Sequence, residues 1–274
     1  MRKISLMLHS ILLITSFIAL VPVNTLKANS DNVAIDSTNF PDDSFRQYVG
    51  NVFDENKDEV LTQEEISKVT ELNCPSNTQS IEGVQYFKSL ISIDCTGTRI
   101  NKLELSDLPA LEILVCNECE MSILELSDLP SLTTLNCSYN KLSSLDVSGL
   151  TSLTKLNCSI NELNELDISN LTSLKELYCN ENQISSLEIN DITSLEVLVC
   201  SSNLLKTLDV SNLTSLKKLN CSENQMSTLD VTNFNSSVTL ISNIFAGDTN
   251  LQKIKCKDQR ICSFKPQDAQ CSAN

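Results

Sequence analysis

A cysteine returns at Cys74, Cys95, Cys116, Cys137, Cys158, Cys179, Cys200 and Cys221, each 21 residues after the last. A fixed period of this size restricts the chain to a stack of repeated units, because one unit cannot bury its apolar side chains alone and neighbours must share a core. The unit reads L-x-x-L-x-C-x-x-N-x-L-x-x-L-D-V-S-x-L-x-S. Leu132, Leu135, Cys137, Asn140, Leu142, Leu145, Val147 and Leu150 fill it once, and Leu153, Leu156, Cys158, Asn161, Leu163, Leu166, Ile168 and Leu171 fill it again without a gap. Leu135 and Cys137 alternate with Thr134, Asn136 and Ser138, the period of two that marks a short strand with one buried face. A thiol packs as a small apolar group, so the cysteine column is expected to be a reduced internal ladder. Three residues on stand Asn140, Asn161, Asn182, Asn203 and Asn224, which can satisfy backbone groups that leave the strand inside the stack. Thr98 and Cys119 take that place in two turns.

These residues resemble bacterial leucine-rich repeats, and most of all the cysteine-ladder internalins, over roughly 69–234. The resemblance implies an α/β solenoid with 21-residue turns, a parallel β-sheet on its concave face and a small helical N-terminal cap. It also implies a secreted or surface-attached binding protein directed at host tissue. The organisation read from the chain is a signal peptide over 1–28, a helical cap over 29–68, repeats over 69–234 and a C-terminal flank over 235–274.

The signal peptide is read from Arg2 and Lys3, the apolar run Ile11 to Val23 and the Leu26-Lys27-Ala28 cleavage region. Its loss removes Arg2, Lys3 and Lys27 and no acidic residue, taking the formal net charge from −15 to −18, and removes His9, the only histidine. A mature chain without histidine excludes histidine-dependent triads and His-ligated metal sites, and no catalysis is expected. So acidic a chain should repel nucleic acid and anionic membranes, and neither is an expected partner.

Asn29 to Ser37 reads as a loose lead-in. Pro41, Asp42 and Asp43 suit a helix start, with Phe45, Tyr48, Val49 and Val52 as its apolar stripe. Thr62 and Glu65 form a capping box for a second helix. Between them Asp54 to Glu65 resembles an EF-hand loop, which makes Asp54, Asn56, Asp58, the Val60 carbonyl and Glu65 the candidate calcium ligands, and calcium the only candidate cofactor. Glu59 stands where that loop usually carries the glycine of its sharp turn. A degenerate helix-loop-helix that covers the end of the stack is the competing reading.

Outward-facing positions of the predicted strands carry Ile113, Val115, Tyr178, Val197 and Val199, with Tyr139 and Ile160 just past the strand. Apolar and aromatic residues on an exposed ladder mark a surface for a protein or glycan partner. A second short strand is expected in each turn, as at Leu145-Asp146-Val147. Its outward acids form a column at Glu104, Glu125, Asp146, Asp167, Glu188, Asp209 and Asp230, read as a solvated edge. The period is read as breaking after Val231, with a displaced ninth strand at Leu251 to Cys256 and a basic cluster at Lys253, Lys255, Lys257 and Arg260. Cys262 and Cys271 are a candidate disulfide, with Cys256 as the competing partner. Cys116 and Cys119 read C-x-x-C, but their places in the ladder account for both. The leading expectation is a secreted, monomeric binding protein. The alternatives are an extracellular structural or regulatory protein with a calcium-dependent cap, or a remnant of a larger surface protein.

Overall fold

The computed structural model describes residues 32–232 and 234, and the backbone of three further short strands at 239–240, 253–255 and 270–272. The candidate signal peptide, the basic cluster's side chains and the Cys262–Cys271 pairing lie outside the described residues.

The chain opens with β1 (Val33–Ala34), α1 (Asp43–Val52), β2 (Val60–Leu61) and α2 (Gln63–Lys68). The stack follows with β3 (Glu71–Asn73), β4 (Ser92–Asp94), β5 (Lys102–Ser106), β6 (Ile113–Val115), β7 (Ile123–Ser127), β8 (Thr134–Asn136), β9 (Lys155–Asn157), β10 (Glu176–Tyr178), β11 (Val197–Val199), β12 (Lys218–Asn220), β13 (Thr228–Asp230), β14 (Thr239–Leu240), β15 (Lys253–Lys255) and β16 (Gln270–Ser272). Nine of these strands form one sheet in the order β14-β12-β11-β10-β9-β8-β6-β4-β3. Its strands are parallel and in register, so each middle residue from Leu72 and Ile93 to Leu198 and Leu219 sits beside its repeat equivalent. Those residues and the repeat leucines behind them are buried and make one continuous core.

The cap begins earlier than the sequence suggests. The expected loose lead-in contains β1, which pairs antiparallel with β2 and so ties the chain to the loop between the helices. Asp42 caps α1 by accepting from the Phe45 N–H at 2.8 Å, and Phe45 and Val49 are buried, whereas Val52 points to solvent. Thr62 and Glu65 form the expected capping box on α2. Phe40, Phe45, Phe53, Tyr48, Tyr86 and Phe87 pack ring on ring and close the apolar end of the first turn.

Three expectations are corrected. First, among the described residues the regular second strand exists only as the pair β5 and β7 and as β13. In later turns Asp146, Asp167 and Asp209 accept from the N–H of Ser148, Ser169 and Ser211. Such local Asp turns give the backbone an alternative to ladder bonds. Second, the ninth strand of the large sheet is β14, with Thr239 beside Lys218 and Leu240 beside Leu219, one full 21-residue period on. The period therefore survives past Val231, and β15 pairs instead with β13 and β16 in a separate sheet. Third, the cysteine column is not wholly reduced. Cys74 and Cys95 are joined as a disulfide with their Cα atoms 4.8 Å apart, and Cys116, Cys137, Cys158, Cys179, Cys200 and Cys221 are buried thiols. Adjacent rungs of a parallel ladder lie within the Cα separation that a disulfide spans.

Candidate functional site

The sheet places its outward residues in two columns, at the first and third positions of each strand. Ile113 is exposed at 37 %, while Val115, Tyr178, Val197 and Val199 are half-buried among their neighbours. They do not form one patch. Ile113 and Val115 lie on β6 beside Ser92 and Asp94 of β4, and Tyr178, Val197 and Val199 meet on β10 and β11. From β6 to β11 is four strand steps, about 19 Å. The strands between carry Thr134, Asn136, Lys155 and Asn157. Ile91, which the strand pattern missed, enlarges the first island: it is 41 % exposed, and its carbonyl accepts from Glu112 and Ile113 N–H at 2.8 and 3.0 Å. The signal was one residue upstream, where the equivalent positions hold Glu112, Thr133, Thr154, Lys175, Glu196 and Lys217.

A polar network divides the islands. Lys155 Nζ lies 3.0 Å from Glu176 Oε2 and 5.7 Å from the centre of the Tyr178 ring, and Tyr178 Oη donates to Glu176 Oε2 at 3.2 Å. Partial burial and the Glu176 carboxylate hold the Tyr178 hydroxyl above its ordinary pKa, so it stays a donor. Asn136 and Asn157 face the same surface, but each side-chain oxygen accepts from the following serine, Ser138 or Ser159.

Tyr139 and Ile160 leave the strand plane. They stand on the turns after β8 and β9, with φ of 55° at both, and Tyr139 is 55 % exposed. They occupy neighbouring rungs, since the Tyr139 N–H donates to Ser159 O at 3.0 Å and the Asn140 N–H to Ile160 O at 3.1 Å.

The Asn column behind them behaves as the spacing requires. Asn140 Nδ2 donates to the carbonyls of Cys116 and Cys137 at 2.9 and 3.0 Å, while its Oδ1 accepts from Cys119 and Met121 N–H at 3.1 and 2.9 Å. Asn161, Asn182, Asn203 and Asn224 donate in the same way to the cysteine carbonyls of their own and the preceding rung. At Cys119 and Thr98 the column is continued by a contact of 3.4 Å between sulfur and hydroxyl, and Cys119 Sγ donates to Cys95 O at 3.0 Å. Burial pushes the Cys158 thiol up to about 12, and burial with neighbouring thiols raises Cys116, Cys137 and Cys179. Thiols held protonated in this way are poor nucleophiles.

The cap loop is bonded to itself. Asp54 accepts from Lys57 and Glu59 N–H, Asn56 from Asp58 N–H and Asp58 from Val60 N–H. Glu65 accepts from the N–H groups of Glu55 and Thr62 at 2.8 Å. Burial opposes ionisation of Glu65, but these donors hold its pKa below the ordinary value. Glu59 takes a left-handed φ of 64°, which supplies the turn normally left to glycine. Among the described residues no group of three or more His, Cys, Asp or Glu converges as a metal cluster.

The functional domain of InlJ from Listeria monocytogenes, which includes a cysteine ladder, is 32 % identical over 82 % of this chain and superposes with a TM-score of 0.72. The chain is an internalin-J-like leucine-rich repeat protein. Two more distant structures share the fold: the Leptospira interrogans repeat protein LIC12759, at 24 % identity over 73 % of the chain with TM-score 0.51, and the repeat ectodomain of the Arabidopsis thaliana receptor kinase GASSHO1/SCHENGEN3, at 23 % over 70 % with TM-score 0.54. The chain spans 52 % of the InlJ structure, 52 % of the Leptospira structure and 25 % of the plant ectodomain. No family model and no curated protein sequence matches it.

In this internalin-J-like protein the acidic column is turned away from the sheet. Asp146, Asp167 and Asp209 have carboxyls held below the ordinary range by the hydroxyl and N–H of Ser148, Ser169 and Ser211. A shallow cleft of about 550 Å³ runs beside Asp146, Asp167 and Glu188, open to solvent along its length. Among the described residues no helix is long and apolar enough to cross a membrane.

Proposed function

We propose that this protein is secreted and binds a protein or glycan partner, of host origin by its internalin-like character, through the outer face of its large sheet and the adjoining turn edge, without a chemical step. The observation that carries the reading is the pair of apolar islands, Ile91–Ile113–Val115 and Tyr178–Val197–Val199, standing outward on rigid strands whose other outward residues are polar. A solenoid face of this kind is preformed, so docking costs little ordering entropy. The cap loop enters as a structural closure, since Asp54 and Glu65 tie its backbone together by accepting from the N–H groups of Lys57, Glu59, Glu55 and Thr62.

The test is pull-down from host surface extracts beside a glycan array, with the mature chain, Val197→Asp/Val199→Asp and Ile113→Asp/Val115→Asp, each in calcium and in chelator. Either double variant should lose the captured partner while its melting curve stays that of the parent, and chelator should change nothing. Capture unaltered in both variants sinks the sheet-face reading. Capture abolished by chelator moves the Asp54–Glu65 loop into the mechanism.

A further inference from the structure

Two residues past each column cysteine from Cys95 to Cys221 the backbone is left-handed, with φ of 66° at Gly97, 59° at Glu118, 55° at Tyr139, Ile160, Glu181 and Glu223, and 54° at Ser202. Glycine adopts this conformation freely, an L-residue costs roughly 1–2 kcal/mol, and a β-branched residue there is an outlier. The fold asks for no side chain at this register. Gly97 occupies it, and a Cβ built on Gly97 meets nothing within 4 Å. Tyr139, exposed, and Ile160, half-buried, therefore hold bulky apolar groups where the backbone resists them, most of all at β-branched Ile160. Such outliers point towards function.

Their flanks are the second observation. The same register one rung before Tyr139 is Glu118, and one rung after Ile160 is Glu181, both exposed. Glu118 accepts from the neighbouring Asn117 amide at 3.3 Å and Glu181 from the Asn180 amide at 3.5 Å, and neither is in an ion pair among the described residues. Along the edge the order is thus acid, aromatic, aliphatic, acid, on a chain of net charge −15.

Spacing completes the argument. One rung advances 4.8 Å, as measured between the Cα atoms of Cys74 and Cys95, so Glu118 to Glu181 is three rungs, about 14 Å. An extended peptide rises about 3.3 Å per residue and returns to the same face every second residue, so its residues i and i+4 stand about 13 Å apart with i+2 between them.

We propose that Glu118, Tyr139, Ile160 and Glu181 form a docking site for an extended basic segment of a protein partner, of the pattern basic-x-apolar-x-basic, laid along the turn edge. The apolar side chain rests on Tyr139 and Ile160, and the two Lys or Arg side chains pair with Glu118 and Glu181. This rests on the reading of sheet face and edge as the binding surface, and it names the partner's chemistry. The acidic chain steers such a segment inwards, and the flanking carboxylates fix its register.

The experiment is fluorescence anisotropy with a labelled Gly-Arg-Ser-Leu-Ser-Arg-Gly peptide, beside versions with both arginines changed to glutamate or the leucine to serine. The parent should bind the first and neither of the others. Tyr139→Ser/Ile160→Gly and Glu118→Gln/Glu181→Gln should each weaken binding about tenfold, and the second should also flatten its salt dependence. Glu188→Gln/Asp209→Asn, on the opposite side, should bind as the parent does. A purely structural role for Ile160 predicts a lowered melting point in Ile160→Gly, whereas relief of left-handed strain keeps it level or raises it. No binding by the parent, or equal weakening by Glu188→Gln/Asp209→Asn, overturns the proposal. Binding lost in Val197→Asp/Val199→Asp but kept in both edge variants overturns it too, while leaving the sheet-face reading in place.

Discussion

Asn140 shows how one side chain holds two rungs together. Its amide serves three carbonyls and two N–H groups, all in the buried interior. Replacing it with alanine strands these groups, and each buried unsatisfied group costs about 1–3 kcal/mol less whatever water recovers. Asn140→Ala should lower unfolding free energy by about 2–4 kcal/mol in urea titration. Ser143→Ala, at an exposed position in the same turn, should cost well under 1 kcal/mol, as surface substitutions do; equal losses would show that the Asn column is not the tie between rungs. Gly83 is a second such point. Its φ is 102°, and a Cβ there would lie 2.4 Å from Asn39 O and 2.4 Å from the Phe40 ring. The carbonyl cannot yield as a flexible side chain tip would. Gly83→Ala should therefore destabilise the protein by more than the roughly 1 kcal/mol of left-handed strain alone, read as a fall in the urea midpoint. Gly97→Ala, in open space, should show the strain term only.

The thiol column has a signature of its own among the elements. Burial raises the folded pKa of Cys116, Cys137, Cys158 and Cys179 above the ordinary value. The folded chain thus keeps protons that the unfolded chain gives up, so stability is whole below the ordinary thiol value near 9.0 and is lost as pH climbs towards the folded value of about 12. Urea midpoints taken under reductant should fall between pH 8 and pH 10.5, roughly the span over which unfolded thiols ionise. Cys137→Ala/Cys158→Ala should be weaker at pH 8 but fall less steeply, because it has two fewer titrating thiols. Parallel slopes in parent and variant would assign the base sensitivity to tyrosine and lysine instead. Much of this element-level architecture was legible in the sequence. The 21-residue step fixed the rungs, and Thr62 with Glu65 fixed the start of α2. What escaped has physical causes. Strand β14 keeps the period with only Thr239 and Leu240 in the ladder, too few residues to show alternation. The second strands were over-read because Asp146, Asp167 and Asp209 turn on their own backbone. Of the proposed surface, Tyr139 and Ile160 were visible as apolar residues in a polar column, but their left-handed backbone and the fact that Glu118 and Glu181 bond neighbouring amides and, among the described residues, not a cation needed coordinates.

For the molecule as a whole, the dominant electrostatic fact is imbalance: 35 acidic against 20 basic residues. Eight ion pairs form among the described residues, such as Lys88–Asp107, Lys102–Glu104 and Lys141–Glu120, and they are largely exposed. Exposed pairs are worth about 0–1 kcal/mol each and weaken with salt. Against them stands the column Glu104, Glu125, Asp146, Asp167, Glu188, Asp209 and Asp230, in which like charges recur at every rung. Rungs about 5 Å apart lie well inside the Debye length of about 10 Å at 0.1 M salt and outside the length of about 3 Å at 1 M. Repulsion between neighbours is therefore strong at low salt and largely screened at high salt, and it should outweigh the lost ion pairs. Sodium chloride raised from about 0.05 M to about 1 M should raise the melting temperature. Asp146→Asn/Asp167→Asn keeps the turn-forming side-chain oxygen but removes two charges that the bonds from Ser148 and Ser169 stabilise in the folded state, so it should melt lower than the parent at low salt and respond less to added salt. A melting point that falls with salt would mean that the ion pairs govern stability. The same salt series should weaken binding of the basic peptide, since attraction across the Glu118–Glu181 edge is screened as surely as repulsion along the column. Stability rising while affinity falls, in one titration of one protein, separates the charge that the fold must tolerate from the charge that the edge uses.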